Sequence, residues 1–477
     1  MYKQYIGGKM VDGLGKEMPV YNPATNEIID TVGAATGTQA IEALEIAQKT
    51  FQTWSKTSVN ERIGWMLKLR DAVLEEREEI IDLLSAESGR PYANACQDFN
   101  WFIESCTYYA EEAKRMTGTS FPNYGTPNGE CYNIVEYRPM GVAVGHMAWN
   151  YPLGNAGLKI CPAVVSGCTT VVKPSIQTPL ATLRIGEIAE RIGFPAGVFN
   201  IITGSSEELG AALNSSKIPR LITLIGSSET GRRIMEQGST SVKKYSLELG
   251  GNAPVIVMDD VDVDFVAKNI VLKKVGNAGQ TCVCYNRIYI HESIYEEMIE
   301  KVKEHLADVT IGKGRDAGEV VMGPLINRAA RDRMLDLIDD AVKSGAKLVA
   351  GGEIPKGFES GNYITPALLR DVNDSMRVSK EEIFGPIIPL QPFSDLDEAL
   401  KLAVDSEYGL ASYFYGHNSR EIAKAVEAFE SGEVFVNVGG GGPQTPHAGW
   451  KQSGVGCDKS RWSLEEYYDL KMVSICP

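Results

Sequence analysis

A thiol, a carboxylate and a neutral amide, each beside a turn marked by glycine or proline, are the side chains of this sequence best fitted to covalent chemistry at a carbonyl carbon. Cys282 closes the run Gly276-Asn277-Ala278-Gly279-Gln280-Thr281-Cys282 and is followed by Val283 and Cys284. The glycines let backbone approach a ligand closely, and a thiol both adds to a carbonyl and departs as thiolate. Taken singly, a cysteine is more often a small buried hydrophobe than a nucleophile. Glu248 lies in Tyr245-Ser246-Leu247-Glu248-Leu249-Gly250-Gly251, an acid inside a strand-like run before a Gly-Gly turn. At an edge such a carboxylate is simply solvated, whereas in a partly dry pocket it takes a proton from a thiol or from water. Asn150, in Trp149-Asn150-Tyr151-Pro152, either caps a turn or donates its amide N–H to the oxyanion of a tetrahedral intermediate.

The elements that must position these residues alternate short apolar runs with amphipathic helices. Strands are expected at 141–147, 170–173, 197–202 and 221–225, with helices at 179–192 and 206–214. Such alternation implies a parallel sheet flanked by helices. No Gly-x-Gly-x-x-Gly turn follows the first strand; the nearest candidate is Gly226-Ser227-Ser228-Glu229-Thr230-Gly231, where a helix starts at Ser227. Free N–H groups and the helix dipole there can hold a pyrophosphate, and an ordinary strand-to-helix turn is the alternative. A second α/β unit is expected from Gly250, with strands at 255–258, 287–290, 347–350, 387–391 and 434–438 and helices at 263–277 and 296–306. Before the first unit, short strands precede helices over 37–54 and 59–84. The tail at 464–475 reads as a terminal strand that would leave a sheet edge open unless another chain covered it.

Sixty-two acidic against 47 basic side chains give a formal charge of -15, which opposes binding to nucleic acid or an anionic membrane. No apolar run approaches the roughly 20 residues of a membrane span, and Met1 to Gly8 lack the apolar core of a signal peptide. The nine cysteines are scattered and odd in number, which reads as free thiols in a reducing, cytoplasmic compartment. The five histidines show no metal-ligand spacing, so no metal is expected.

Taken together and in their order, Trp149-Asn150-Tyr151-Pro152, Glu248-Leu249-Gly250-Gly251 and Gly279-Gln280-Thr281-Cys282 resemble the aldehyde dehydrogenase superfamily over nearly the whole chain. The resemblance implies an α/β fold of two Rossmann-like parallel-sheet domains plus a small β oligomerisation arm. It implies an NAD(P)-binding domain at 1–120 and 139–249, a catalytic domain at 250–445 and an arm at 121–138 and 457–477, in a homodimer or homotetramer. It makes Cys282, not Cys284, the nucleophile, Asn150 with the Cys282 N–H the oxyanion hole, and Glu248 the group that activates the hydrolytic water. Cofactor contacts carry over to Trp149, Lys173, Ser175, Gly226, Ser227, Glu382 and Phe384. Relatives that take the acyl group to coenzyme A usually lack a water-activating residue, so hydrolysis is expected.

This sequence departs from the family pattern at several places. Ile176 stands where NAD-preferring members carry a glutamate that repels a 2′-phosphate, so NAD is expected with NADP left open. Met147 replaces a common proline, and Asp458, with Lys159 as partner, replaces a longer glutamate. Tyr151, Asn155, Leu158 and Val283 match the family's aldehyde tunnel, and His447 occupies a place often filled by an aromatic ring. Its segment, Pro446-His447-Ala448-Gly449-Trp450-Lys451, resembles that of lactaldehyde-type dehydrogenases. Polar Asn155 and His447 favour a short hydroxyaldehyde; with no tunnel arginine to mark a carboxylate, a succinate-semialdehyde-like substrate is the alternative.

Overall fold

Val142–His146, Thr169–Lys173 and Pro219–Ile225 are rich in β-branched residues and almost wholly buried, the pattern of strands covered on both faces. In the computed structural model, which describes residues 1–126, 131–315, 321–437 and 440–476, they form the centre of an eight-stranded sheet. The order runs Lys9–Val11, Gln4–Ile6, Phe199–Ile201, Thr169–Lys173, Val142–His146, Pro219–Ile225, Lys244–Glu248 and Gly454–Val455. The inner pairs are parallel; the antiparallel hairpin of Gln4–Ile6 and Lys9–Val11 closes one side and the antiparallel Gly454–Val455 the other. From Val142–His146 the chain builds outward first to one side, through Thr169–Lys173, and then to the other, through Pro219–Ile225. The strand ends at that reversal form the crevice in which α/β sheets bind ligands. Register brings the site residues to this end: His146 pairs with Lys173, Leu224 with His146, and Ile225 with Glu248.

A second sheet of seven strands runs Lys347–Ala350, Ala367–Arg370, Ile387–Phe393, Tyr285–His291, Ala253–Val257, Ala411–Tyr415 and Glu433–Val436. All its pairs are parallel except the first. Separate apolar cores lie under the two sheets. Thr119–Pro122, Tyr132–Pro139 and Tyr468–Ile475 make a third, antiparallel sheet, the last two strands pairing from Tyr468 with Pro139 to Ile475 with Tyr132.

Several expectations change. The helix expected over 59–84 is two helices, Val59–Glu75 and Arg77–Ser88, broken at Glu76. No glycine or proline marks the break; it turns the Glu76 carboxylate towards Arg184, 2.7 Å away, and Arg191. The helix Pro152–Ser166, buried along its length and ended by Gly167 at φ 91°, had no counterpart in the sequence reading because it lacks a polar face. A short helix, Ser460–Glu465, precedes the terminal strand. Cys131 and Cys476 are joined as a disulfide across the third sheet, which corrects the reading of all nine cysteines as thiols. Val438 of the expected strand and residues 127–130 and 477 of the expected arm lie outside the described residues. Among the described residues no helix is long and apolar enough to cross a membrane.

Candidate active site

The helix Val263–Val275 stops short of the expected residue 277, and a tight turn takes its place ahead of Cys282. Asn277, Ala278 and Gly279 have φ of 48°, 52° and 73°. Two non-glycine residues in the left-handed region are held there at a cost, a common feature of functional loops. At Gly279 only glycine fits, since a Cβ would fall 2.3 Å from the Gly385 carbonyl oxygen. Side-chain hydrogen bonds fix the turn: Asn277 Nδ2 donates to the carbonyls of Asn150 and Gln280, both at 3.2 Å, and Gln280 Nε2 donates to Asn277 O at 2.9 Å. Asn150 Nδ2 reaches Gln280 O at 3.3 Å, which ties the amide to the cysteine loop. From the other side the fully buried Arg90 donates to the Asn150 carbonyl, faces Asp98 at 3.5 Å and lies 4.7 Å over the Tyr151 ring. Sequence reasoning missed Arg90 altogether.

Glu248 ends its strand nearly buried, and Cys282 Sγ, a Glu248 carboxylate oxygen and a His447 ring nitrogen lie within 4.8 Å of one another. His447 Nε2 is 3.1 Å from Glu248 Oε1 and 3.9 Å from Cys282 Sγ; its Nδ1 is 3.1 Å from Glu433 Oε2. Burial, reinforced by the nearby Glu248 charge, pushes the Cys282 thiol up to about 12, and hydrogen bonding to His447 opposes this. Burial and Lys459 work against a charged His447, but its bonds to Cys282, Glu248 and Glu433 outweigh them and hold it well above the usual histidine range. Burial raises Glu433, but His447 together with the Lys459 and Lys273 charges outweighs it, so that carboxyl sits below its ordinary value. Cys284 is buried, with its sulfur 3.5 Å from the Lys273 carbonyl.

Two cavities border this centre, one on Cys282 itself and the other on Thr281, Val283 and His447 beside it. The first is lined by Cys282, Asn150, Glu248, Trp149, Gly226, Ser227, Glu382 and Phe384. It continues along the strand ends past Lys173, Ser175, Ile176, Thr230 and Arg233. Ser227 caps the helix Ser228–Gly238 by accepting from Thr230 N at 3.2 Å. The Trp149 and Phe384 rings meet edge to face, with centroids 5.5 Å apart. Lys173 and Glu382 are charged groups with no ion-pair partner among the described residues: Lys173 Nζ has only Ser206 Oγ at 3.3 Å, and Glu382 Oε1 accepts from Gly251 N at 3.0 Å. Burial lowers Lys173 to about 8 and raises Glu382 to about 7. A buried donor in the extension and a buried acceptor in the first cavity, each with capacity to spare, fit ribose hydroxyls of a dinucleotide.

The second cavity, of about 450 Å³, is lined by Tyr151, Thr281, Val283, His447, Glu433, Trp101, Lys273 and Lys459. Leu158 borders a smaller neighbouring cavity with Trp101 and Lys459. Asn155 lines neither and donates to the Ala148 carbonyl at 3.1 Å. Asp458 and Lys159 form the anticipated pair at 2.7 Å, buried, with Lys159 also bonded to Thr223 Oγ1 at 2.6 Å. Among the described residues neither Lys273 nor Lys459 has a carboxylate within ion-pair distance; their ammonium groups lie over aromatic rings, Lys459 5.5 Å from Trp101 and Lys273 5.6 Å from Tyr413.

Rossmann-like sheets whose strand ends flank a thiol, an amide and a carboxylate are those of a nicotinamide-dependent oxidoreductase acting on a carbonyl compound. The chain belongs to the aldehyde dehydrogenase family, whose model matches residues 10–473. It is 38% identical over 99% of its length, and 97% of the relative's, to glutarate-semialdehyde dehydrogenase of Pseudomonas aeruginosa. It is 36% identical to the NADP-dependent succinate-semialdehyde dehydrogenase of Escherichia coli, covering 98% of this chain and 97% of that one. Its fold superimposes on that of lactaldehyde dehydrogenase from Escherichia coli with a TM-score of 0.96 at 33% identity, over 100% of this chain and 99% of the other. It is therefore an NAD(P)-dependent aldehyde dehydrogenase; the family uses either dinucleotide.

Proposed function

We propose that the enzyme oxidises a short aldehyde with a polar, anionic far end to the carboxylic acid, by way of a thiohemiacetal and then a thioester on Cys282 that water hydrolyses. The observation that carries the chemistry is the convergence of Cys282, Asn150 and Glu248 on the wall of the first cavity, with His447, which lines the second, against Glu248 and Cys282. Cys282 adds to the carbonyl carbon, and the developing oxyanion takes hydrogen bonds from the Asn150 side-chain amide and the Cys282 backbone N–H. NAD(P)+ would supply the hydride acceptor when bound, held by Trp149 and Phe384 at its nicotinamide end with Glu382 as a ribose contact in the same cavity, by Gly226 and Ser227 at the pyrophosphate, and by Lys173 and Ser175 along the adenosine side. Glu248 then takes a proton from the water that attacks the thioester, and Cys282 leaves. A steady-state survey of aldehydes with each cofactor, with the acid product identified, tests the reading; release of an acyl thioester to coenzyme A in place of acid would overturn it.

Lys273 and Lys459 support the anionic end. Asn155 and the ring nitrogens of His447, the groups that favoured a hydroxyaldehyde, are engaged with protein atoms, whereas the two ammonium groups line the cavity with no carboxylate within ion-pair distance among the described residues, Glu433 on the same wall acting on both only at longer range. The semialdehydes named for the relatives carry a carboxylate opposite the aldehyde. Lysines here take the place of a tunnel arginine. Lys459→Gln should lower kcat/KM for succinate semialdehyde by about tenfold, or about 1.4 kcal/mol, and change that for an uncharged aldehyde of the same length far less. Equal losses on both substrates would remove the anion from the proposal.

Ile176 borders the adenosine side of the first cavity and is 45% exposed there. Ile176→Glu should depress kcat/KM with NADP at least about tenfold relative to NAD, because a carboxylate would face the 2′-phosphate. An unchanged ratio would show that this position does not face the 2′ group. The third sheet exposes Leu470 and Met472, which are 66% and 64% accessible on its terminal strand. An apolar edge of this kind is proposed as the self-association surface. Light scattering should give a dimer or tetramer, and a monodisperse monomer would refute this.

A further inference from the structure

His447 is 7% exposed in a place where nothing on its own chain segment requires a titratable ring, yet both of its nitrogens are committed. Nδ1 meets Glu433, which opens the edge strand of the second sheet, and Nε2 meets Glu248, which ends a strand of the first; the Cys282 sulfur is 3.9 Å from the same Nε2. The ring therefore spans the junction of the two sheets. Its backbone is fixed as firmly as its side chain: His447 and Asp458 exchange N–H···O bonds of 2.8 Å, and Asp458 is pinned to the first sheet through Lys159. A histidine anchored at both nitrogens has a defined orientation.

We propose that Glu433 and His447 form a cationic positioning dyad, in which the ring, charged and aimed by Glu433, holds Glu248 towards Cys282 and stabilises the thiolate as it forms. The proposal rests on Cys282 being the nucleophile. Two carboxylates enter this nearly closed space from opposite sheets, and a single imidazolium between them satisfies both with an N–H donor each. The groups that face the ring are Glu433, Glu248 and Cys282, which favour its charge, and Lys459, which opposes it; the balance lies with the charged form. The thiol needs such a neighbour because burial alone drives it far from ionisation. During attack the Cys282 S–H bond breaks as the S–C bond forms, and the proton passes to Glu248. The imidazolium keeps its own proton throughout and offsets the charge that appears on sulfur. That proton leaves Glu248 for solvent before hydrolysis, when Glu248 accepts a second one from water and returns it to the departing sulfur. A ring committed in this way acts on the base and the nucleophile, and is not free to take the hydroxyl of a substrate.

Alkylation of Cys282 by iodoacetamide, followed by intact mass and peptide mapping from pH 6 to 10 on the full-length enzyme, separates this role from substrate contact. His447→Phe keeps an aromatic ring of similar size and should slow labelling roughly tenfold at each pH of the range, all of it below the thiol's midpoint. In turnover kcat should fall with KM little changed. Glu433→Gln leaves the ring in place but removes its charge partner, so it should slow labelling in the same way by a smaller factor; this variant carries the test if His447→Phe does not fold. Alkylation profiles that superimpose on that of the unmodified enzyme, with the loss confined to KM, would overturn the dyad and return His447 to the substrate wall. Failure of the nucleophile assignment reads differently, as an acyl group or alkyl label on another cysteine.

Discussion

Cys282→Ala should abolish aldehyde oxidation, by at least about 10⁴-fold in kcat, while leaving the protein folded and able to bind NAD(P). The thiol is the atom that forms the covalent bond, and nothing nearby can replace it. Cys284 is two residues on, but its sulfur packs towards the Lys273 carbonyl and lines neither cavity. The turn that presents Cys282 is held by Asn277, Gln280 and Asn150, none of which bonds to the sulfur. Removing Sγ therefore leaves the loop intact, and Lys173 and Glu382, the proposed ribose contacts, are untouched. Cofactor titration by fluorescence should give nearly the same affinity in the variant, and Cys284→Ala should keep most of the activity. Intact-mass measurement during turnover decides the matter: an acyl adduct that persists in Cys282→Ala and vanishes in Cys284→Ala would reverse the assignment.

The parts of this molecule that could be read from sequence are those whose signal is local. The strands around Val142–His146 and Pro219–Ile225 announce themselves as short apolar runs between helices, and the loop motifs around Asn150, Glu248 and Cys282 are contiguous. What could not be read depends on which faces meet. Arg90 looks like any surface arginine until the fold buries it against Asn150 and Tyr151. Glu433 lies 14 residues from the ring it holds, and the only hint is an acid at the start of an apolar strand. Lys273 and Lys459 come from a helix and from a loop residue with φ of 57°, and only the tertiary arrangement makes them neighbours of one cavity. Asn155 shows the converse. Its position in the motif points to the tunnel, but the helix turns its amide back onto Ala148.

In the proposed reaction cofactor and aldehyde would reach Cys282 along separate routes, one past the switch-point crevice and the other past the aromatic and lysine-lined cavity. The thiol would then serve two steps in sequence without moving far, and the group that would change its task between them is Glu248. It sits at a strand end, fixed by pairing with Ile225, so its carboxylate reaches either the sulfur or the space beside it with only side-chain rotation.

Glu248→Gln should consequently clear the thioester far more slowly than it forms it. The substitution keeps the shape of the side chain and a hydrogen-bonding oxygen for His447 Nε2, but an amide does not accept the proton of the attacking water. Acylation keeps the thiol, the oxyanion donors and the imidazolium beside the sulfur, and slows only to the extent that Glu248 receives the thiol proton. Deacylation loses its base outright, so the steady rate should fall by about 10²- to 10⁴-fold. Rapid mixing with a good aldehyde should then show a burst of close to one NAD(P)H per competent site, followed by the slow phase, with the acyl-enzyme accumulating in intact-mass spectra. Hydroxylamine, which attacks a thioester without needing a general base, should consume that adduct and restore part of the turnover. A variant with neither burst nor adduct at saturating aldehyde and cofactor would place Glu248 before acylation, and the thiol would then depend on it for the first proton as well as the second.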